Sequence, residues 1–302
     1  MENELFDIFK RNFPFILRED SIVLELLSDP KNKIFEKRNE EGKLIGVSVT
    51  NKKTIYLMCV DKKYRNQGIG TELLNESEKY VLENGYDNIK VGAGDRYLMP
   101  GIPTSIKPFV EKISPDKIYD DVTNEASSFF EKRGYIHSWK DSNCFDMRAD
   151  LETVEFSEIS IGDTVNGIHY RWATVEDISK VIECTDDAEQ NFSQYYKDET
   201  IYKNGKHRVL IGTCNGDVCG TLIVSIETEG RGIGSVGCTT VAHQYRGKHI
   251  GVNIVILGTK YLKELGLKNG YLGYTYSGLD RMYGYAGYKI CIYYNMATKD
   301  LA

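Results

Sequence analysis

The stretch Val241-Ala242-His243-Gln244-Tyr245-Arg246-Gly247-Lys248-His249-Ile250-Gly251 decides the fold of this chain. An earlier stretch repeats it as Val60-Asp61-Lys62-Lys63-Tyr64-Arg65-Asn66-Gln67-Gly68-Ile69-Gly70. Each follows an apolar, β-branched run and precedes a run with helical periodicity, which predicts a strand, a tight loop and a helix start. Backbone N–H groups converge at such a corner, with the positive end of the helix dipole behind them. We therefore predict two phosphate-binding corners.

The spacing around the corners indicates an internal repeat. Gly85 follows Arg65 by 20 residues, and Gly266 follows Arg246 by 20 residues. Further along, 49 residues separate Gly85 from a Gly-Tyr pair in the first copy, against 21 residues from Gly266 in the second. The paired elements downstream are Gly134-Tyr135 with Gly287-Tyr288 and Met147–Leu151 with Met296–Leu301. We interpret the chain as two copies of one fold, the first with an insertion.

Both copies combine hairpin strands with helical crossovers, which is typical of the α/β class with mixed sheets. We predict two tandem domains, each a mixed, mostly antiparallel sheet with helices on both faces. The predicted boundaries are residues 1–151 for the first domain, 152–166 for a polar linker and 167–302 for the second domain. At 302 residues, the chain is long enough for two cores.

Composition excludes several classes of function. The net charge of -6 argues against nucleic acid as the main partner. No stretch approaches the roughly 20 apolar residues of a membrane span, and the amino end does not read as a signal peptide. The seven cysteines lack metal-ligand spacing. We expect reduced thiols, no metal site and a cytoplasmic location.

The two corners resemble the phosphate loop of the GCN5-related N-acetyltransferase (GNAT) superfamily, which reads Arg/Gln-x-x-Gly-x-Gly/Ala. Arg65, Gly68 and Gly70 match this pattern, as do Arg246 and Gly251, but His249 occupies the first glycine position of the second copy. The resemblance implies acetyl-CoA as donor, a splayed pair of strands that admits its pantetheine arm, and direct attack by a primary amine. The cofactor-binding residues so implied are Val60, Arg65, Asn66, Gln67, Gly68, Ile69 and Gly70, with Val241, Arg246, Gly247, Lys248, His249, Ile250 and Gly251.

The general acid of this family is a tyrosine four residues before a Gly-Phe or Gly-Tyr pair. The resemblance places that role on Tyr283, whereas the same offset in the first copy gives Phe130. A phenyl ring cannot donate a proton, while backbone amides bind phosphate whatever the side chain. We therefore predict catalysis in the second copy. His249 either donates to a phosphate or is a turn residue that tolerates its backbone conformation.

A base is also required, because the attacking amine must lose a proton. Asp280 lies three residues before Tyr283, where it would bind the amine or relay a proton, or else only begin a helix. Glu227 and Glu229 are alternative bases in a turn. A backbone N–H near Thr240 or Val241 is the expected oxyanion donor. Cys238 lies on the same strand, and a core thiol is favoured over a covalent acyl-cysteine.

A narrower resemblance concerns the acceptor. The tandem arrangement and the stretch Tyr97-Leu98-Met99-Pro100-Gly101-Ile102-Pro103 are similar to bacterial glucosamine/glucosaminide N-acetyltransferases. This implies an amino-sugar substrate, with Asp95, Arg96 and Tyr97 of the insertion capping the second copy's site, unless the insertion is only a packed structural loop. Glu227 is a further candidate for substrate binding. An aminoglycoside, a polyamine or an amino-sugar thiol precursor remains open as the acceptor. So does an acyl-CoA-binding regulator without turnover, and so does an oligomer.

Overall fold

The computed structural model describes residues 2–92, 97–105, 123–138, 143–156, 158–189, 191–203, 205–227, 229–276 and 278–301. Contacts divide the chain into two compact units. The first unit is Met1–Phe145 with Cys291–Ala302, and the second is Asp146–Ile290. The chain therefore passes between the units twice.

The first unit begins with two helices and continues as an antiparallel meander. Its helices are α1 (Glu2–Asn12), α2 (Asp20–Leu27), α3 (Ile69–Glu83) and α4 (Glu125–Glu131). Its strands are β1 (Lys33–Arg38), β2 (Leu44–Asn51), β3 (Thr54–Val60), β4 (Asn88–Val91), β5 (Ile102–Thr104), β6 (Ile136–His137) and the start of β7 (Cys144–Asp150). A short 3₁₀ turn, Lys62–Tyr64, separates β3 from α3.

From its three-stranded meander onward, the second unit repeats this order. After β7 come β8 (Thr164–Val165), β9 (Ile168–Trp172), α5 (Ile178–Ala188), β10 (His207–Cys214), β11 (Asp217–Ile226), β12 (Ile233–Val241), α6 (Ile250–Glu264), β13 (Asn269–Tyr276) and α7 (Asp280–Gly284). Short 3₁₀ turns lie at Val175–Asp177, Ser193–Tyr196, Glu199–Tyr202 and His243–Tyr245. The chain ends with β14 (Lys289–Asn295), which crosses back to the first unit, and β15 (Ala297–Asp300).

Each unit contains a mixed sheet. In the first unit the strand order is β1-β2-β3-β4-β15-β6, and in the second it is β7-β13-β12-β11-β10-β9-β8. Among the pairings with a described register, those of β3 with β4 and of β12 with β13 are parallel, and the others are antiparallel. The predicted fold class, mixed sheets flanked by helices in two tandem copies, is confirmed.

The ends of the units differ from the predicted domain boundaries. The strand beside β4 in the first unit is β15, from the end of the chain, and it pairs Ala297 with Val91 and Asp300 with Asn88. The strand beside β13 in the second unit is β7, which closes the first sequence copy. Each copy thus contributes its last strand to the sheet of the other. Residues 291–302, predicted to belong to the second domain, group with the first unit.

The helix that follows each corner packs its apolar face on the sheet as the periodicity predicts. In α3 the buried residues are Leu73, Leu74, Ser77 and Val81. The helix α6 begins at Ile250, directly after His249, whose backbone is left-handed. Within the described part of the chain, no helix combines the length and apolar character needed to span a membrane.

Candidate active site

The two loops that follow β3 and β12 have the same backbone geometry. In the first loop Asn66 and Gly68 have φ values of 61° and 86°, and in the second Gly247 and His249 have values of 81° and 58°. In both loops the second of these left-handed residues precedes the first residue of a 15-residue helix. Alternation of left- and right-handed residues turns successive N–H groups toward one point, which suits an anion. His249 therefore reproduces the glycine conformation of the first copy.

The arginine of each loop is bound to its own strand. Arg65 Nε donates to the Val60 carbonyl at 2.9 Å, and Arg246 Nε donates to the Val241 carbonyl at 3.2 Å. Arg65 also pairs with Glu125 at 3.3 Å, on the exposed surface. These side chains close the loop between the strand end and the helix start. The arginines thus fix the shape of the loop, and binding of phosphate by the loop amides stays a prediction.

The first helical residue of each corner anchors the helix on the neighbouring strand. A Cβ on Gly46 would lie 3.0 Å from Ile69 Cγ2, and one on Gly220 would lie 2.5 Å from Ile250 Cγ2. Glycine at both positions lets the helix start approach the sheet closely. The side chains of Ile69 and Ile250, both predicted to bind cofactor, therefore pack on the sheet.

Beside each corner, two parallel strands separate after a short ladder. The ladder of β12 and β13 joins Ile233 to Asn269 and Gly234 to Gly270, and among the described residues it ends there. The ladder of β3 and β4 joins Thr54 to Lys90 and Ile55 to Val91 and likewise ends within the described part. The remaining seven residues of β12, up to Val241, lie beyond the ladder. These openings match the splayed strands that the resemblance implies.

The first unit has a cleft of about 840 Å³ along its opening. Its walls come from the loop, from the two splayed strands, from α4 and from the described part of the insertion. Among its lining residues are Arg65, Gly68, Val91, Met99, Ile102, Phe130 and Arg133. A polar end with loop amides and arginines, joined to an apolar channel, fits an elongated molecule with a phosphorylated end such as acetyl-CoA.

Tyr283 lies on α7 and is 4% exposed. Its hydroxyl is 3.2 Å from Thr239 Oγ1, on the part of β12 beyond the ladder. Burial raises the pKa of Tyr283 to about 12, although the hydrogen bond with Thr239 opposes this shift. The phenol therefore keeps its proton at neutral pH and remains able to donate it.

Phe130 is buried in the corresponding position of the first unit. Its ring centroid is 5.3 Å from that of Phe129 and 5.1 Å from that of Tyr135, in edge-to-face contacts. Tyr135 in turn donates to Glu78 at 3.0 Å. Phe130 therefore combines a wall of the cleft with a place in the core, and its ring supplies no proton.

The other predicted polar residues of the second unit have structural contacts. Asp280 begins α7, half-buried, and accepts a hydrogen bond from the Gly278 N–H at 3.2 Å. Glu227 forms an ion pair with Arg231 at 3.2 Å in the turn before β12, and Glu229 pairs with the same arginine at 3.0 Å. Both glutamates therefore hold the hairpin together. A role in binding or deprotonating substrate remains a prediction for all three.

Of the predicted substrate residues in the insertion, the structure describes Tyr97. Tyr97 lies against Arg18, whose guanidinium carbon is 5.0 Å from the ring centroid and which donates to the Tyr97 carbonyl. Asp95 and Arg96 fall outside the described residues. Met99, Gly101, Ile102 and Pro103, from the stretch that carries the narrower resemblance, line the cleft of the first unit. Within that unit the stretch is thus a cleft wall.

Cys238 has a left-handed backbone, with φ of 50°. Burial raises the pKa of its thiol to about 11. A thiol with this pKa carries little thiolate at neutral pH and is a poor nucleophile. This thiol is thus poorly suited to an acyl-cysteine route, and direct transfer stays a prediction. Among the described residues, no group of three His, Cys, Asp or Glu side chains could hold a metal ion.

Sequence reasoning missed the contacts that support β12 from behind. Tyr196, which is fully buried, donates to the Cys238 carbonyl at 2.6 Å. Nothing in the local pattern around Tyr196 signals this, because its partner is a backbone carbonyl 42 residues away.

Comparisons with known proteins agree with this fold. Residues 16–97 match the family model of the acetyltransferase (GNAT) domain. No curated protein matches the chain in sequence. Among solved structures, a tandem GNAT protein from the clavulanic acid biosynthesis pathway superposes with a TM-score of 0.69 at 14% identity, over 100% of this chain and 95% of that one. A GCN5-related N-acetyltransferase from Sphaerobacter thermophilus gives 0.63 at 16%, over 94% and 86%.

A third solved structure has a longer chain. It is a GCN5-related glucosamine N-acetyltransferase region in a fungal multi-domain GH3 β-N-acetylglucosaminidase, with a TM-score of 0.69 at 21% identity. The match covers 98% of this chain and 36% of that one, so this chain spans about a third of its length. At these identities the three similarities establish the shared two-domain fold.

Proposed function

Because residues 16–97 match the GNAT acetyltransferase domain, we propose that this chain is an acetyl-CoA-dependent N-acetyltransferase. We propose further that its transfer step takes place in the second unit. The observation that carries this proposal is the buried phenol of Tyr283, held 3.2 Å from Thr239 beside the opening between β12 and β13. The loop Arg246–Gly251 at the end of β12 supplies amides for the diphosphate. Phosphate loop, strand opening and proton donor thus belong to one unit.

The chemistry follows from these positions. Acetyl-CoA is the substrate that supplies the acetyl group. The amine nitrogen forms a bond to the thioester carbon, the carbon–sulfur bond then breaks, and the sulfur takes the proton of Tyr283. The proton lost by the nitrogen goes to a base, and we propose Asp280 for this role. Because the phenol is desolvated, it is protonated when the thiolate forms.

The substitution Tyr283→Phe tests this assignment. We expect kcat to fall by about 10²–10⁴-fold, the usual contribution of a positioned acid, while KM for acetyl-CoA changes little. Release of free thiol from acetyl-CoA in the presence of an amine is the measurement. Tyr285→Phe is the matched control, because that tyrosine is two residues away and 57% exposed. Full activity in Tyr283→Phe would refute the choice of acid.

For the acceptor we propose the amine of glucosamine or a glucosaminide. One structural neighbour is a glucosamine N-acetyltransferase region. In this chain, β13 carries tyrosines whose rings suit a sugar: the centroids of Tyr274 and Tyr276 are 6.2 Å apart, at right angles and half-buried. Aromatic faces of this kind bind the apolar faces of sugar rings while hydroxyls meet their polar edges.

A panel of amines separates the acceptor classes. We expect acetyl transfer to glucosamine at the highest kcat/KM, and slower transfer to spermidine and to an aminoglycoside such as kanamycin. Mass spectrometry of the product locates the acetyl group on nitrogen. Transfer to spermidine alone would replace the amino-sugar assignment and keep the acetyltransferase.

The first unit favours a second role, binding of a CoA thioester without turnover. Its cleft of about 840 Å³ combines a loop of the same geometry with Phe130 in the acid position. Calorimetric titration of Tyr283→Phe with acetyl-CoA should therefore show two sites per chain. If no amine yields free thiol with the native protein while acetyl-CoA binds, the regulator is the better description of the whole chain.

A further inference from the structure

The strand β12 has a bulge beside the proposed acid. Its pairing with β11 joins Thr221 to Thr240 and Ile223 to Gly237, so that Leu222 faces both Cys238 and Thr239. The extra residue is accommodated by the left-handed backbone of Cys238, with φ of 50°. A residue with a Cβ adopts this conformation at a cost in free energy, so neighbouring contacts must hold it.

Those contacts come from a chain of buried hydroxyls. Tyr196 Oη donates to the Cys238 carbonyl at 2.6 Å, because a carbonyl can only accept. Thr221 therefore donates to Tyr196 at 2.9 Å, and Thr240 donates to Thr221 at 2.6 Å. Tyr196 and Thr221 are 0% exposed and Thr240 is 4% exposed. Each hydroxyl thus donates one hydrogen bond, and the last bond of this series ends on the carbonyl of Cys238.

The next residue after this carbonyl is the one that meets the acid. The peptide group that joins Cys238 to Thr239 is planar, with its C=O and N–H pointing in opposite directions. A hydrogen bond that fixes the Cys238 carbonyl therefore also fixes the orientation of the Thr239 N–H. Thr239 Oγ1 is 3.2 Å from the Tyr283 hydroxyl. One peptide group therefore connects the buried hydroxyl chain with the acid.

The first unit does not share this arrangement. Counting back three residues from the strand end, Leu57 corresponds to Cys238, and it pairs regularly with Val49. The extra residue of β3 is Tyr56, one residue before Leu57, because Thr50 on β2 already pairs with Ile55. The backbone of Cys238 has a positive φ, whereas that of Leu57 does not. The left-handed bulge thus occurs in the unit that has a tyrosine, Tyr283, in the acid position.

We propose that Tyr196 is a positioning residue for acetyl transfer, whose buried hydroxyl holds the bulge of β12 and so aligns Thr239 with Tyr283. This inference rests on the proposed function. Tyr196 does not touch the reacting atoms; it acts through the Cys238–Thr239 peptide.

The substitution Tyr196→Phe removes the hydroxyl and keeps the ring. We expect kcat to fall by about 10–100-fold, because a shift of about 1 Å in a catalytic group can cost 100-fold, while KM for acetyl-CoA stays within about twofold. Tyr202→Phe is the matched control, since its hydroxyl donates to the Tyr196 carbonyl at 2.9 Å within the same core. Tyr202→Phe should lower the melting temperature by about as much as Tyr196→Phe does, and it should leave kcat within about twofold of the native value.

A rescue variant separates positioning from loss of stability. Glycine adopts positive φ without strain, so adding Cys238→Gly to Tyr196→Phe should restore kcat at least fivefold. A crystal structure of Tyr196→Phe should show residue 238 with a negative φ. An unchanged kcat in Tyr196→Phe, or a low kcat with the bulge intact and no rescue, would overturn the inference. Absence of transfer by the native protein would instead refute the proposed function, and the crystal structure would still report on the bulge.

Discussion

At the scale of single residues, His249 combines an imidazole side chain with the left-handed backbone of the second loop. It has φ of 58° at the position where the first loop has Gly68. A left-handed backbone strains a residue with a Cβ by about 1–2 kcal/mol in the folded chain. Replacing that residue by glycine removes the strain, but it stabilises the unfolded chain by about 0.4–1 kcal/mol because glycine has more conformational entropy there. We expect His249→Gly to stabilise the second unit by roughly 0.5–1 kcal/mol, and to leave the Kd for CoA within about twofold, because the amides remain.

Chemical denaturation and calorimetric titration check both parts. Gly68→Ala is the reciprocal control: a Cβ there meets no atom within 4 Å, so its effect comes from the backbone strain alone. A tenfold weaker Kd in His249→Gly would show that the imidazole itself donates to phosphate. That result would favour the other of the two interpretations left open by the sequence.

The raised pKa of Tyr283 makes a prediction about stability at high pH. Its pKa of about 12 in the folded chain exceeds the value of about 10 for a free phenol. Above pH ~10 the unfolded chain therefore loses this proton first, and the free energy of unfolding decreases as pH rises toward 12. We expect the melting temperature of Tyr283→Phe to decline less between pH 9 and 11 than that of the native protein. The variant Tyr285→Phe should keep the full decline, and equal slopes in all three would contradict burial of the phenol.

At the scale of elements, the glycine inside α6 shows why this helix lies so close to its sheet. A Cβ on Gly258 would be 2.5 Å from Leu222 Cδ2 and 3.2 Å from Val224 and Val236. Alanine is the better helix former by about 1 kcal/mol, but overpacking a core costs about 1–3 kcal/mol. We expect Gly258→Ala to destabilise the second unit by up to about 2 kcal/mol. Gly284→Ala, with no atom within 4 Å of its Cβ, should be neutral or stabilising in the same denaturation assay.

How much the sequence predicts depends on how local the signal is. The corners were predictable because a glycine pattern, a strand and a helix follow one another within a few residues, and α3 buries the face that its periodicity indicates. Tyr283 was predictable only through the resemblance, which fixes its distance from Gly287. The hydroxyl chain behind β12 was not, because Tyr196, Thr221 and Thr240 come from three separate segments and meet only in the folded sheet.

At the scale of the whole molecule, the exchange of last strands was also hidden from the sequence. Met147–Leu151 and Met296–Leu301 correspond to each other in the repeat, so their patterns suit either sheet equally well. Local pattern therefore assigns each strand to the copy that precedes it. Which sheet receives each strand depends on the connections and on pairing between distant segments, such as Ala297 with Val91.

This exchange predicts which unit depends on the end of the chain. The strand β15 lies between β4 and β6, and Lys299 adds an ion pair with Glu78 at 2.9 Å. A chain that ends at Met296 leaves β4 and β6 without their common neighbour. We expect the amides of β4 and α3 to lose protection against hydrogen exchange, while those of β10 and β11 in the second unit keep theirs.

Thr298→Pro, which removes an N–H from the ladder at full chain length, should give the same pattern. Thr298→Val keeps the ladder and loses only the hydrogen bond to the Ile89 carbonyl, so it should cost about 1 kcal/mol or less. Loss of protection in β10 and β11 after truncation would instead assign the last strand to the second copy, as the repeat alone predicts.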